Sequence, residues 1–216
     1  MEAAYLQAQI KPHFLFNTLN SIMALSDLDT ERMRKLADAF AGYLRISFHF
    51  LNTGKLVPLT HELELVRAYL YIEKERFGDR LAIVWDVNTE EALLLPPLTV
   101  QPLVENAVKH GVLSRAAGGM VQIRMIRSGD SIRIEVSDDG RGMKEEDIRY
   151  VLEHPLKKGS GGIGLFNTNR RLRQMFGSGL SIQSREGLGT TVSFEIPVNS
   201  SPESSNNVID FNGNSG

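Results

Sequence analysis

The hydrophobic period of the chain changes near residue 80, and this change constrains the fold more than any other feature of the sequence. Before it, apolar residues recur every three or four positions, which is typical of amphipathic helices. After it, they alternate or cluster in short β-branched runs, which is typical of strands. With 42% hydrophobic residues among 216, both regions can bury a core. We therefore predict an α+β protein with a helical N-terminal region.

The helical region is predicted to begin with a hairpin. Apolar residues at helical spacing from Leu6 to Met23 predict one helix, and those from Met33 to Leu44 predict another. The segment "DLDT" between them supplies a turn and a cap. A hairpin of this size buries little surface alone. Its apolar stripe is therefore expected to meet a second copy, which would give a dimeric four-helix bundle.

A third helix is expected in "LTHELELVRAYLYIEKERFG", with Thr60 as its cap and Gly78 as its stop. We assign residues 1–78 to the helical region, 79–198 to the second domain and 199–216 to a tail. The tail is rich in Ser, Asn and Gly and is predicted to be disordered. Because a helical pattern begins at once, without a capping residue, we also expect the chain to be a fragment of something longer.

The second domain is predicted to be an α/β sandwich, with one sheet packed against helices. Two helical segments are expected, "LTVQPLVENAVKHGV" and "GLFNTNRRLRQMF". Five segments bounded by turn-forming residues predict strands: "RLAIVWDV", "MVQIRMI", "SIRIEVSD", "LSIQSR" and "TTVSFEIPV".

Charge and composition exclude several classes of protein. Lysine and arginine total 24 against 26 acidic residues, a net charge of −2, so nothing marks the chain as a binder of nucleic acid. There is no cysteine, which excludes disulfides and cysteine-rich metal sites and fits a reducing compartment such as the cytoplasm. No apolar run approaches the roughly 20 residues that span a bilayer, so the chain as written is expected to be soluble.

Three segments of the second domain carry chemistry suited to one type of ligand. In "VENAVKHG", Asn106 offers an amide oxygen for a cation, with Lys109 and His110 predicted close by on the same side of a helix. In "SDDGRGM", the carboxylate of Asp138 can accept a hydrogen bond from an amino group at a strand end. Taken alone, the first segment is more often a solvated helix face, and the second is usually a β-turn.

The third segment is "KKGSGGIGLFNTNRRL", in which glycines lead straight into a helix. Free backbone amides at a helix N-terminus form a ready anion site, and Lys157 and Lys158 add positive charge. A glycine-rich linker is the ordinary alternative. A flexible linker, however, would not also open an amphipathic helix.

Taken in this order, "ENAVKHG", "DDGRGM" and "GSGGIGL" resemble the N, G1 and G2 boxes of an ATPase superfamily. Histidine kinases, gyrase B, MutL and the 90-kilodalton chaperones share that superfamily, and the resemblance covers about residues 93–197. It implies that Asn106 binds Mg²⁺ and that Asp138 accepts the adenine amino group of ATP. The other cofactor-binding residues that it implies are Lys109 and His110 near the phosphates, Gly140, Gly142, Gly162, Gly164 and Leu165 around the phosphate lid, and Thr190 in the strand that closes the adenine pocket.

The residue four positions before Asn106 distinguishes the branches of this superfamily. In the hydrolysing branches it is a glutamate that acts as general base on water, whereas here it is Pro102. Glu105 is displaced from Asn106 by roughly 100° around a helix, so it cannot take that role without rearrangement. Transfer of the phosphoryl group to another acceptor is therefore favoured over hydrolysis.

The N-terminal segment "QAQIKPHFLFNTLNS" resembles the phosphoacceptor helix of the LytS-like sensor histidine kinases, and the third helix matches the same family. Gln9, His13, Asn17 and Asn20 fall at helical spacing and form one polar stripe, which places His13 at the surface. Pro12 predicts a bend just before it. Phe14 follows the histidine where many histidine kinases have an acid, so Asn17 is the candidate to hydrogen-bond the imidazole.

The resemblance implies the cytoplasmic catalytic region of a two-component sensor kinase. Mg·ATP would phosphorylate His13 within a homodimer, and an aspartate on a response regulator would then take the phosphate. Membrane attachment would run only through a sensor region outside this chain. Two alternatives belong to other classes: a non-catalytic dimeric scaffold that binds nucleotide, and an ATP-driven conformational clamp.

Overall fold

The computed structural model of the protein describes residues 12–52, 56–87, 93–154 and 163–198. Several predictions concern residues outside these ranges. These predictions concern Gln9 and the bend before Pro12, the residues Lys157, Lys158 and Gly162 of the glycine-rich segment, and the tail at 199–216.

The predicted N-terminal hairpin is confirmed. Helix α1 spans Pro12–Leu25 and helix α2 spans Thr30–Asn52. Asp29 caps α2, since its Oδ1 accepts the backbone N–H of Arg32 at 3.0 Å. The cap and the short turn before it fix the point at which the chain reverses.

The apolar stripe of α2 is covered differently from the prediction. Leu36, Phe40, Tyr43 and Phe50 are buried within the chain itself. Helix α3, at Leu59–Phe77, lies alongside α2 and supplies the cover that we expected from a second copy. A helix that is apolar on several sides can be shared in this way between the hairpin and the rest of the fold.

The start of α3 differs from the prediction, whereas its end agrees. Thr60 is not the cap, because the helix begins at Leu59, directly after Pro58. The N–H of Leu59 is bonded instead to the carbonyl oxygen of Leu93, at 2.8 Å. Gly78 ends the helix with a φ of 56°, a conformation that glycine adopts without the strain of a side chain.

All five predicted strands are confirmed, and they form one mixed sheet. Two further strands of two residues each pair with one another, and they are too short for a periodic pattern to reveal. In chain order the strands are β1 Val57–Pro58, β2 Leu81–Asp86, β3 Leu94–Leu95, β4 Gly119–Ser128, β5 Ser131–Asp138, β6 Ser181–Arg185 and β7 Gly189–Pro197. The large sheet has the order β2-β4-β5-β7-β6, in which only the β2–β4 pair is parallel.

Helices of the second domain include two predicted segments and one that the pattern missed. Helix α4 spans Gln101–Asn106 and continues as a π-helical turn, Ala107–Gly111. Helix α5, at Glu145–Glu153, was not predicted, and helix α6 spans Ile163–Phe176. One cluster of buried apolar side chains runs from Phe14 on α1 into the sheet, so the core continues across the predicted boundary at residue 78.

Two glycine substitutions should change stability in opposite directions. Gly78→Ala places a side chain at positive φ and should cost about 1 kcal/mol of unfolding free energy, although a Cβ there would meet no atom within 4 Å. Gly42→Ala, in the interior of α2 and equally free of clashes, should add about 0.5–1 kcal/mol through helix propensity. Thermal unfolding of both variants checks the signs. A stabilising Gly78→Ala would contradict this account of the helix end.

Candidate functional site

A cleft of about 840 Å³ opens beside the end of β5, between α4 with its π turn, α5 and the start of β7. Its volume suits a ligand of nucleotide size. The polar side chains that line it include Asn106, His110, Asp138 and Thr190, and the apolar ones include Leu103, Val136, Leu165 and Val192. The three predicted motifs therefore contribute to one site.

Asp138 ends β5 directly opposite Thr190 of β7. Its Oδ1 accepts the backbone N–H of Gly140 at 2.9 Å, and the carboxylate also accepts the N–H of Thr190. Burial raises the pKa of Asp138 to about 6; the two N–H donors oppose this shift, and the charge of Asp139 adds to it. The carboxylate is thus a desolvated acceptor inside the cleft.

Glycines allow the backbone to close around Asp138. A Cβ on Gly111 would lie 2.4 Å from Oδ1 of Asp138, and one on Gly140 would lie 2.1 Å from the carbonyl carbon of Gly111. Gly142, at a φ of 66°, packs against the backbone of Arg185 in the same way. The backbone thus closes around Asp138 at Gly111 and Gly140, and Gly142 packs against the backbone at the end of β6. Sequence reasoning missed Gly111, although it ends the motif "ENAVKHG".

Of the three residues predicted to act together in the segment "VENAVKHG", two line the cleft and one does not. Asn106 and the exposed His110 line the cleft, but Lys109 does not. The Lys109 ammonium lies 3.6 Å from Glu105 and 5.9 Å from the ring centroid of Tyr69 on α3. The wider π turn changes the angular spacing of these residues, so the prediction of one shared side holds for Asn106 and His110 only.

The donor set fits a magnesium ion held mainly by a nucleotide. Asn106 offers a neutral amide oxygen on the cleft wall. Within the described ranges, no group of three or more acidic, histidine or cysteine side chains could hold a metal by itself. Mg²⁺ commonly takes one or two protein ligands and completes its shell with phosphate oxygens and water, which is the arrangement that Asn106 can serve.

The start of α6 packs directly against α4. A Cβ on Gly164 would lie 3.0 Å from the Cβ of Pro102, and Leu165 is buried on the cleft wall. Pro102 occupies the position four residues before Asn106 and brings no carboxylate there. Glu105 is not among the residues that line the cleft, and it contacts Gln101 at 3.4 Å as well as Lys109.

His13 is exposed on α1, as predicted, and lies outside the cleft. The side-chain nitrogen of Asn17 stands 3.0 Å from Nδ1 of the imidazole and 3.2 Å from Nε2, so the predicted Asn17–His13 contact is present. Phe14 is buried, with its ring centroid 5.0 Å from that of Tyr43 and 5.4 Å from that of Tyr69. Asn17 thus orients the imidazole of His13, and Phe14 anchors the helical turn that carries it.

Family models match both parts of the chain. The model described as histidine kinase matches residues 1–81. The model described as histidine kinase-, DNA gyrase B- and HSP90-like ATPase matches residues 97–200.

Curated relatives match over nearly the whole chain. The uncharacterized protein YwpD of Bacillus subtilis is 43% identical over 91% of this chain and 70% of its own length. The sensor histidine kinase YpdA of Escherichia coli is 35% identical over 94% of this chain and 35% of its own length. The sensor protein LytS of Bacillus subtilis is 35% identical over 91% of this chain and 34% of its own length. The chain thus spans about a third of the two sensor proteins.

A solved structure shows the same fold. The histidine kinase domain from the Erythrobacter litoralis EL346 blue-light activated kinase aligns with a TM-score of 0.51, at 23% identity and over 91% of both chains. In the part of the chain that the structure describes, we find no helix with the length and apolar character of a membrane span.

The raised pKa of Asp138 should appear in the pH dependence of nucleotide binding. The ionised carboxylate is a stronger acceptor for an adenine amino group than the protonated acid, so ADP affinity should be constant above about pH 7 and should weaken, by up to about tenfold per pH unit, as the pH falls through about 6. Calorimetry across this range measures it. Asp138→Asn is the control, because the phosphate groups of ADP also titrate near pH 6 in both proteins. Equal pH slopes in the two proteins would exclude Asp138 as the acceptor.

Proposed function

This chain belongs to the histidine kinase family and carries its catalytic region, and from this premise we propose that it transfers the γ-phosphoryl group of ATP to His13. The observation that carries the proposal is the exposed His13, held by Asn17 on an anchored helix outside a cleft of nucleotide size. The acceptor and the nucleotide site are thus separate and both accessible.

The cleft supports recognition of an adenine nucleotide. The carboxylate of Asp138 would accept the N–H of the adenine amino group, and the apolar side chains of Val136, Val192 and Leu103 would flank the base. Guanine presents a carbonyl oxygen at that place, which would face the carboxylate as acceptor against acceptor. ATP is therefore the favoured donor.

The phosphate end of the cleft lies at Asn106. There the amide oxygen of Asn106 would hold Mg²⁺, and His110 would stand beside the phosphates. When bound, the ion would neutralise charge that develops on the transferring group.

His13 would act as the nucleophile through a neutral ring nitrogen. The nitrogen lone pair would form the N–P bond as the bond from the γ-phosphorus to the ADP oxygen breaks. The proton on the other ring nitrogen would pass to solvent, to which His13 is open. Asn17 would hold the ring during this step, since its amide can donate to one ring nitrogen or accept from it.

Transfer is favoured over hydrolysis by the surroundings of Asn106. Pro102 occupies the place of a general base and packs against the start of α6. Glu105 is turned toward Lys109 and Gln101. Neither position therefore offers a carboxylate that would activate water beside the nucleotide phosphates, and the phosphoryl group would go to His13 and then to an aspartate of a response regulator.

Substitution of His13 tests whether it is the phosphoryl acceptor. His13→Gln should abolish stable labelling by γ-labelled ATP and leave ATP affinity within about twofold, because it removes the nucleophile and leaves the cleft intact. The wild-type label should be lost in acid and retained in base, as a phosphoramidate is. Gel autoradiography and calorimetry measure the two properties.

The matched control is His61→Gln, which replaces another exposed histidine, on α3. It should label like wild type. Labelling of His13→Gln, or an acid-stable wild-type label, would show that His13 is not the acceptor. Steady release of inorganic phosphate without phosphoprotein would favour the clamp-type alternative.

The homodimer that the family implies can be tested at the exposed apolar residues of the hairpin. Phe16, Leu19 and Met23 are exposed along one face of α1, and Phe48 is exposed on α2. The double variant Phe16→Glu, Met23→Glu should therefore be monomeric in light scattering at micromolar concentration, whereas wild type should be a dimer with or without ATP. Leu188→Glu, which alters an exposed apolar residue of the β6–β7 turn, should stay dimeric. A monomeric wild type would contradict the dimer.

A further inference from the structure

The turn that precedes α4 contains a strained residue. Leu98 has a φ of 59° and is the only residue other than glycine with positive φ in the described part of the chain. The left-handed conformation is unfavourable for an L-residue with a side chain. Such a conformation persists where surrounding groups hold it, and it is often found at functional sites.

Two charged side chains hold this turn from opposite sides. Glu62 of α3 accepts the backbone N–H groups of Leu98, of Thr99 at 3.1 Å and of Val100 at 2.9 Å. Arg171 of α6 donates to the carbonyl oxygens of Pro97 and Leu98, the latter at 2.7 Å. Leu98 is therefore bound through both its N–H and its C=O.

The carboxylate of Glu62 is fully buried, at 0% exposure, and it does not line the cleft. Burial raises the pKa of Glu62, whereas the backbone N–H donors and the charge of Arg171 act in the opposite direction. The carboxylate also faces the positive end of α4, whose cap residue Val100 has no side-chain cap of its own. Glu62 therefore serves α4 as a cap supplied by another helix.

The cap supplied by Glu62 also affects the position of Asn106, at the other end of α4. Asn106 is the last residue of this six-residue helix, so a shift or tilt at Val100 is transmitted to its amide over about 9 Å. Helix α6, from which Arg171 comes, also contributes Leu165 to the cleft. The clamp formed by Glu62 and Arg171 thus joins three helices, two of which line the cleft.

We propose that Glu62 is a positioning residue that holds α4 so that the Asn106 amide oxygen reaches the nucleotide-bound Mg²⁺. This inference rests on the proposed function, because Asn106 is the metal ligand only if the cleft binds Mg-nucleotide. Glu62 touches neither metal nor nucleotide and acts through the turn at Leu98. The adenine end at Asp138 belongs to the sheet and to the π turn, so it should be affected less than the metal end.

The test is Glu62→Gln, which keeps the size of the side chain and turns one of its two acceptor oxygens into an N–H donor that opposes the backbone. ADP affinity in excess EDTA should change by less than about threefold. The Mg²⁺ concentration that gives half of the full increase in ADP affinity should rise by about 10- to 100-fold, as for other residues that orient metal ligands. The same Mg²⁺ shift should appear in His13 labelling, with a smaller loss at saturating Mg²⁺.

The matched control is Glu73→Gln, on the same helix. Glu73 is also buried, and its carboxylate is paired with Arg76 at 2.6 Å, away from the turn at Leu98. It should lower the thermal midpoint without shifting the Mg²⁺ dependence. An equal Mg²⁺ shift in Glu73→Gln, or a wild-type dependence in folded Glu62→Gln, would overturn the proposal. So would an equal loss of affinity in EDTA and in Mg²⁺, which indicates general damage to the cleft.

A second variant covers failure of Glu62→Gln to fold. Arg171→Lys keeps the charge but loses the two-pronged contact with the carbonyl groups, and it should shift the Mg²⁺ dependence in the same direction by a smaller factor. An unchanged dependence in this folded variant would overturn the proposal. The binding assay also separates the two levels of inference: if wild type binds Mg·ADP but does not label His13, the proposed transfer fails while the positioning role is still measured.

Discussion

The burial of α3 is the interaction on which the rest of the structure depends. Leu65, Val66 and Ile72 are fully buried on this helix, and each large aliphatic side chain so placed contributes roughly 1.5–3 kcal/mol. The hairpin packs on it through α2, while β2 and α4 contact it from the sheet domain. Because both parts of the protein share this helix, its position relates the histidine helix to the nucleotide cleft.

The same helix buries two carboxylates that the apolar packing does not need. An unpartnered buried charge is costly, so Glu62 is bonded to three backbone N–H groups and Glu73 is paired with Arg76. Burial raises the pKa of both groups. Because apolar replacements of buried ionic groups are often neutral or stabilising, stability alone does not account for them. The carboxylate oxygens of Glu62 accept backbone N–H groups of the turn before α4, and these hydrogen bonds select one conformation of that turn.

Local patterns predicted the fold well, because the hairpin and the five strands depend on periodicity along the chain. They missed α5, a helix of nine residues whose apolar side chains Ile148, Val151 and Leu152 are only partly buried. They also placed Lys109 beside Asn106, because the period of an α-helix cannot show where a π turn begins. The contact between Glu62 and Leu98 joins residues 36 positions apart, and no local signal marks it. The cleft residues Asn106, Asp138 and Leu165 could be proposed from motifs, whereas the groups that hold them required the tertiary structure.

The residue after His13 shows how packing and exposure are linked at the proposed phosphoacceptor. Many histidine kinases have an acid at this position, but here Phe14 is buried against Tyr43 and Tyr69, where an acid would lose its hydration. Successive residues of a helix point about 100° apart, so the buried ring of Phe14 directs the imidazole of His13 outward. Asn17, one turn later, then limits its rotation. With phenylalanine at this position, no carboxylate follows the histidine as a possible proton acceptor. The packing of Phe14 in the core instead fixes the direction in which the nucleophile faces.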